Sequence, residues 1–222
     1  MKKKKQQKKS ILVIGMGRFG KHLAMKFQDT GNTVMAVDKN ENVMAELAPR
    51  LENIMVADCT SEAFIQTLGI GNFDICYVAI GENFEASILI TSFLKRYGAK
   101  RIVTKAARDI QIEILKRVGA DEVIYPEREL AEKIAVRHSS LSIIDCLPLS
   151  EEYSIYEIEV PEEWIGKSIG DLNIRRKYHL NILTVNNASV HPMPEADHVF
   201  SAKEQIVLLG TEQNVLKVCP RA

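Results

Sequence analysis

Three glycines spaced Gly15-x-Gly17-x-x-Gly20, followed by an acid at Asp38, are the residues here whose types and spacing fit a chemical task. The task is to hold phosphate and ribose. A glycine at 15 permits a tight turn, one at 17 leaves no side chain between backbone and phosphate, and one at 20 lets a helix sit close to a sheet. The free N–H groups and positive dipole end of a helix starting there would face the anion. Asp38 can accept hydrogen bonds from both ribose hydroxyls, and its charge repels a 2′-phosphate, so NADP is disfavoured. Arg18 adds a fixed charge with five donors inside the loop. That suits a ligand with more phosphate charge than NAD, such as ATP or ADP; a solvated surface arginine is the plain alternative.

A catalytic set is harder to find. A dehydrogenase needs an acid–base group and an anion clamp beside the nicotinamide. Lys105 ends a strand pattern and fits either an acid–base role or, more ordinarily, neutralisation of phosphate. The chain has no GxSxG, no Cys/His pair and no paired carboxylates, and its last third holds no catalytic constellation. A ligand sensor is therefore favoured over an NAD-dependent oxidoreductase. Cys59, Cys76, Cys146 and Cys219 form no CxxC pair, and the five histidines show no metal spacing. Cys59 and Cys76 fit buried thiols, and no zinc site is expected.

The elements that must position these groups follow from hydrophobic periodicity. Short apolar runs at 11–14, 33–37, 53–57, 74–80, 101–104 and 122–125 read as six strands. Helical periods alternate with them at 21–28, 41–51, 61–68, 84–97 and 109–118, the last with Asp109 as cap and Gly119 as stop. That alternation predicts an α/β fold, a doubly wound parallel Rossmann sheet of six strands. Ligands in such sheets bind beyond the carboxyl ends of the strands, where Arg18, Asp38, Asp58, Asn83, Lys105 and Glu127 fall. A further helix over 127–141, with Leu130, Ile134, Ala135 and Leu141 as apolar positions, reads as a crossover. From 142 the pattern changes to strands at 143–149, 153–160, 182–185 and 205–209 with helices at 167–178 and 212–218. This predicts a small C-terminal α+β domain over 142–222, for which dimerisation would supply core.

The 222 residues carry zero formal net charge, unevenly placed. Residues 1–9 hold six lysines, leaving −6 on the remainder, which is not a nucleic-acid footprint. The lysine tail reads as a disordered, solvated start, or as a contact for an anionic membrane face at about 1 kcal/mol per lysine. No apolar run approaches the ~20 residues that span a bilayer, and no signal-peptide core precedes Gly15. A soluble, cytoplasmic protein is expected. A transcription factor is disfavoured by the acidic body and the lack of a helix-turn-helix.

With these residues read, the chain resembles the RCK-domain regulatory subunits of bacterial Ktr/Trk potassium uptake systems. The resemblance rests on VIGMGRFG, AVDKNE, ADCTSE, LGIGNFDICYVAIGENFEAS, the TKA after the fifth strand, VGADEVIYPERELAEKIA and SEEYSIYEIEVPEEWIGKSIGDLNIRRKYHLNILTV. It implies a homo-oligomer of dimers forming an octameric ring. The ring would dock on the cytoplasmic face of a membrane-embedded potassium-translocating subunit, so the protein would be peripheral to the inner face of the membrane. ATP would favour the conducting ring shape and ADP the closed one, with NAD or NADH as the other family ligand.

By that resemblance Gly15, Met16, Gly17, Arg18, Phe19 and Gly20 would hold phosphates, with Arg18 sensing the terminal one, also across a subunit boundary. Asp38, with Lys39, would hold the ribose. Asp58 and Cys59 would line the adenine pocket, and Ala79, Ile80, Gly81 and Asn83 the cleft. Lys105 would meet phosphate. Glu127 would bind a cation shared between neighbouring subunits, since two facing carboxylates repel unless a cation or proton sits between them. A plain helix-start charge after Pro126 is the alternative. The family's C-terminal domain can bind cyclic di-AMP at a dimer interface; Asn173, Ile174, Arg175, Asn181 and Pro192 match. The stretch 190–194 departs from the family pattern, and Arg175 and Arg176 also fit solvated helix residues.

Overall fold

A computed structural model describes residues 8–138, 142–186 and 190–219, the side chains of 190–192 excepted. The chain divides into two compact units, Met1–Glu127 and Arg128–Ala222.

The first unit alternates β1 (Ser10–Ile14), α1 (Arg18–Asp29), β2 (Thr33–Asp38), α2 (Glu41–Leu47), β3 (Asn53–Val56), α3 (Glu62–Thr67), β4 (Ile75–Val78), α4 (Phe84–Arg96), β5 (Ile102–Lys105), α5 (Asp109–Val118) and β6 (Glu122–Ile124). All six strands pair in parallel, in the order β3-β2-β1-β4-β5-β6. This is the doubly wound Rossmann sheet that the alternation predicts. Its logic is visible in β1. Side chains alternate across a strand, so Leu12 and Ile14 enter one core with Ile90 and Leu94, while Ile11 and Val13 enter the other with Ala24 and Met44. Ile11, Leu12 and Val13 are each 0% exposed. Full burial of such a side chain contributes ~1.5–3 kcal/mol, so both faces of the central strand anchor the layers.

Several boundaries differ from the periodic reading. Helix α1 begins at Arg18, three residues early, because extended Gly17 (φ −64°, ψ −172°) serves as its N-cap. Helix α2 stops at Leu47 rather than 51, and β4 spans only Ile75–Val78 of the expected 74–80. Asp109 is the first residue of α5 rather than its cap, which is Arg108. Gly119 ends that helix at φ 126°, a conformation suited to glycine.

Helix α6 (Pro126–Arg137) starts in the first unit and continues into the second. It buries no residue, and Leu130 and Ile134 stay exposed, while Val136, half-buried, packs against the core of the second unit. Leu141 lies outside the described residues. The second unit continues with β7 (Ile143–Pro148), β8 (Tyr153–Glu159), α7 (Ile169–Leu172), α8 (Ile174–Lys177), β9 (Asn181–Asn186), β10 (Val190–Pro192), β11 (Gln205–Thr211) and α9 (Glu212–Val215). Its sheet runs β10-β9-β11-β8-β7, antiparallel throughout. Trp164 is the hub of its core, with ring centroids 5.8 Å from Phe200 and 5.5 Å from Tyr178.

The single helix expected over 167–178 is two short ones. Asn173 adopts φ 45° between them, a left-handed conformation that ends α7 before α8 starts. Strand β10 lies outside the expected set, and α9 ends at Val215 rather than 218. Among the described residues no helix is long and apolar enough to cross a membrane.

Candidate functional site

The strand order reverses between β1 and β4, and beyond their carboxyl ends lies a cleft of ≈ 240 Å³. A crevice at such a reversal is where ligands of open α/β sheets bind. Its walls include Ile14, Gly15, Val37, Asp38, Lys39, Ala57, Asp58, Cys59, Thr60, Ile80, Asn83, Ala86 and Ile90.

The phosphate end is built by the glycine turn. Gly15 has φ 95°, and its N–H donates to Val37 O at 2.8 Å, tying the turn to β2. A Cβ on Gly20 would lie 1.9 Å from Gly15 O, so only glycine lets α1 pack here. A Cβ on Gly17 would meet nothing within 4 Å: the space above it is open, as an approaching phosphate requires. Gly17 offers no side-chain cap and the first turn of α1 holds no acid. The helix-start N–H groups and dipole are therefore left for an anion. Arg18 is exposed beside them, while Met16 is buried under the turn and Phe19 half-buried.

Asp38 faces inward. Its Oδ2 accepts from Met16 N–H at 2.6 Å and its Oδ1 from Asn40 N–H at 2.9 Å. The carboxylate thus shapes the glycine turn, and its remaining lone pairs are what a ribose can use. Asp58 Oδ1 accepts from both N–H and hydroxyl of Thr60, at 2.9 and 2.7 Å. These bonds, hydroxyl first, hold its carboxyl below the usual aspartate value, with Lys39 adding a smaller favourable charge. Thr60 was not among the expected site residues; an Asp followed two residues later by Thr is the side-chain turn signal that points to it. Cys59 is buried, and burial together with the charges of Asp58 and Asp38 pushes its thiol up to about 12. It is an apolar wall rather than a nucleophile.

Asn83 caps α4, its Oδ1 accepting from Ala86 N–H at 2.9 Å. Ala79 is buried beneath Gly20, and its Cβ would be 3.1 Å from a Cβ there, so it supports the turn from below. On the side of β5, Lys105 Nζ donates to Glu127 Oε1 at 2.6 Å and sits 5.8 Å from the Phe19 ring centroid. A Cβ on Gly81 would come within 3.3 Å of that Nζ. The hydrogen bond from Lys105 is the main reason the Glu127 carboxyl is held below its usual range, with Arg18 contributing less. The structure therefore joins two residues with separate expected roles.

In the second unit, Asn173 and Arg175 are exposed at the α7–α8 junction, and Asn181 opens β9. Ile174 is 3% exposed and packs in the core, so its side chain is structural. Pro192 belongs to β10, and its side chain lies outside those described.

Known proteins share this architecture. The TrkA-N domain matches residues 11–126 and the TrkA-C domain residues 155–222. The chain is 37% identical over 209 residues to Ktr system potassium uptake protein C of Bacillus subtilis, covering 94% of this chain and 95% of that one. It is 34% identical over 208 residues to Ktr system potassium uptake protein A of the same organism, covering 93% and 94%. The crystal structure of the GsuK RCK domain is similar at TM-score 0.68 and 17% identity, over 98% of this chain and 49% of that one. The GsuK channel bound to NAD is similar at TM-score 0.68 and 17% identity, over 96% and 39%. GsuK bound to ADP is similar at TM-score 0.53 and 13% identity, over 60% and 35%. The chain spans about half or less of these solved chains, and at such identities the likeness shows the fold alone. Two domain matches and near full-length relatives carry the assignment: the chain belongs to the RCK-domain regulatory proteins of the Ktr and Trk potassium uptake systems.

Proposed function

We propose that this chain is the nucleotide-binding regulatory subunit of a potassium uptake system, acting with a membrane-embedded potassium-translocating subunit from the inner face of the membrane. The observation that carries it is the uncapped start of α1. Its amides open over Gly17, beside Arg18 and with no acid in the first turn, next to a ribose acceptor at Asp38. The arginine favours ATP and ADP over NAD and NADH, because their terminal phosphates carry more negative charge than the doubly esterified pyrophosphate of a dinucleotide. Binding of NAD and ADP by GsuK supports the same ligand class.

In this reading residues 10–126 form the nucleotide domain, 127–141 the crossover helix, 142–222 the dimerisation domain and 1–9 a basic tail. The subunits assemble as dimers into an octameric ring, whose shape responds to ATP against ADP. Among the described residues no group of three or more His, Cys, Asp or Glu can hold a metal ion. A cation at Glu127 therefore takes its other ligands from a neighbouring subunit or from phosphate oxygens. Cyclic di-AMP is the candidate for Asn173, Arg175 and Asn181 at a dimer interface.

A combined thermal-shift and sizing titration with ATP, ADP, NADH and cyclic di-AMP tests this. A ligand that binds only the folded state adds RT ln(1 + [L]/Kd), about 2.7 kcal/mol at a hundredfold excess. Stabilisation of a large assembly by ATP and ADP, with the preference between them lost in Arg18→Ala, is the expected result. A monomer indifferent to all four ligands would overturn the reading.

A further inference from the structure

We propose that Glu127 is an internal stand-in for a ligand phosphate: it holds Lys105 until a nucleotide takes the ammonium over, and so sets how much phosphate a ligand must bring. The inference rests on the nucleotide reading above and names the residue that tunes it. Lys105 ends β5, and its ammonium is 2.6 Å from the Glu127 carboxylate. Near it lie the ring of Phe19, in the first turn of α1, and Gly81, whose missing side chain leaves it room. Lys105 thus stands beside the phosphate loop while bonded away from it.

The two partners differ sharply in exposure: the Lys105 side chain is 11% exposed and that of Glu127 60%. A largely buried ammonium needs an anion, because desolvation without a partner is costly. A carboxylate already in water loses little when its partner leaves. Exchange is therefore asymmetric: phosphate can replace Glu127, whose carboxylate, already largely in water, is then free for the cation proposed above. A nucleoside monophosphate offers too little charge at the loop to complete the exchange, whereas di- and triphosphates suffice.

The exchange also has an outlet. Glu127 lies in the first turn of α6, which continues past Arg128 into the second unit. Releasing Glu127 from Lys105 removes one side-chain tie between the first turn of that helix and β5, while the β5–β6 pairing stays in place. Phosphate capture and loosening of the helix root are then one event.

Calorimetry on the full chain in EDTA, with AMP, ADP and ATP, tests this using Glu127→Gln, Lys105→Met and the double variant. Glu127→Gln should bind ADP and ATP about fivefold more tightly, the loss of one partly exposed ion pair as competitor, with AMP little changed. In the Lys105→Met background the same change should have no effect. Hydrogen exchange at the amides of 127–131 should quicken when ATP saturates the wild type, and should already be fast in ligand-free Glu127→Gln. Unchanged or weaker ADP and ATP binding by Glu127→Gln overturns the inference, as does a Gln effect that survives Lys105→Met. Wild-type protein that binds no adenine nucleotide overturns the nucleotide reading itself; wild-type binding with an inert Glu127→Gln overturns only this proposal.

Discussion

The carboxylate of Asp38 is hydrogen-bonded to the amide of Met16, 2.6 Å away and 22 residues earlier, inside the glycine turn that it faces. A residue at this strand end is ordinarily discussed as a ribose acceptor. Here it also fixes the glycine turn, while Asn40 N–H occupies its second oxygen. In the proposed reading, ribose recognition and the shape of the phosphate loop would depend on one charge.

Asp38→Asn should accordingly lose more than ribose binding. Its amide group has a single acceptor oxygen, so one of the two N–H donors would face an NH₂ group. Unfolding by denaturant should show a loss of about 1 kcal/mol, the net contribution of one hydrogen bond at a part-buried or exposed donor. Discrimination of NAD against NADP should fall at the same time, measured as the ratio of their dissociation constants. An unchanged unfolding midpoint would mean that the bond given up, to Met16 or to Asn40, contributes nothing to stability.

The glycines of the turn should separate cleanly. Gly20→Ala places a Cβ 1.9 Å from Gly15 O, a backbone atom that cannot move aside cheaply. A loss of at least ~1–3 kcal/mol of stability is expected. Gly17→Ala meets nothing within 4 Å and has an ordinary φ of −64°. It should melt like the wild type yet bind nucleotide more weakly, since its methyl group stands in the phosphate's path. Thermal melts and nucleotide titrations of the two variants decide this.

The contrast shows what was legible beforehand. Glycine spacing, the acid at 38 and alternating apolar runs determine the parallel sheet, because its inner strands are largely buried and read as nearly unbroken apolar runs. The positions of Gly15, Asp38, Asp58 and Asn83 at one crevice follow from that topology. Pairings that depend on side-chain direction were not legible. Nothing in the spacing says that Lys105 turns to Glu127 or that Asp38 reaches back to Met16. The second unit was read less well, because its short helices are positioned by a core around Trp164 and Phe200 rather than by their own periodicity.

Asn173 is the clearest such case and carries its own test. It interrupts an otherwise helical pattern at φ 45°, a conformation costing most L-residues roughly 1–2 kcal/mol, which asparagine and glycine tolerate. Asn173→Gly should leave the melting temperature nearly unchanged. Asn173→Ala should lower stability by about 1 kcal/mol, unless the two short helices fuse. Circular dichroism would report fusion as a gain in helix content.

Asp58 predicts a pH dependence. Its carboxyl is held below the usual aspartate value by Thr60, so the folded state binds that proton less readily than the unfolded one. The resulting stability is fully present above the unfolded pKa and is lost as pH falls through the folded pKa. Thr60→Val removes the hydroxyl but leaves the amide. The Asp58 carboxyl should then titrate at higher pH in a carbon-detected NMR titration, and the acid limb of the stability curve should flatten. Unchanged titration would show that the Thr60 hydroxyl bonds elsewhere in solution.

The last prediction concerns phosphate number. The start of α1 has open amides, no acid in its first turn and Arg18 beside it, and Lys105 lies near Phe19 in that same turn. Each added phosphate therefore meets more positive charge, and affinity should rise from AMP to ADP to ATP. Because Arg18 is exposed, its share of that gain should be screened by salt, whose Debye length falls to about 3 Å at 1 M. The dipole and amides of α1 act at contact distance and should be screened less. Titrations at low and high salt should show a steep phosphate series flattening with salt in the wild type. Arg18→Ala should give a shallow series at both salts. If its series stays as steep as the wild type's, the discriminating charge lies with Lys105 rather than in the loop.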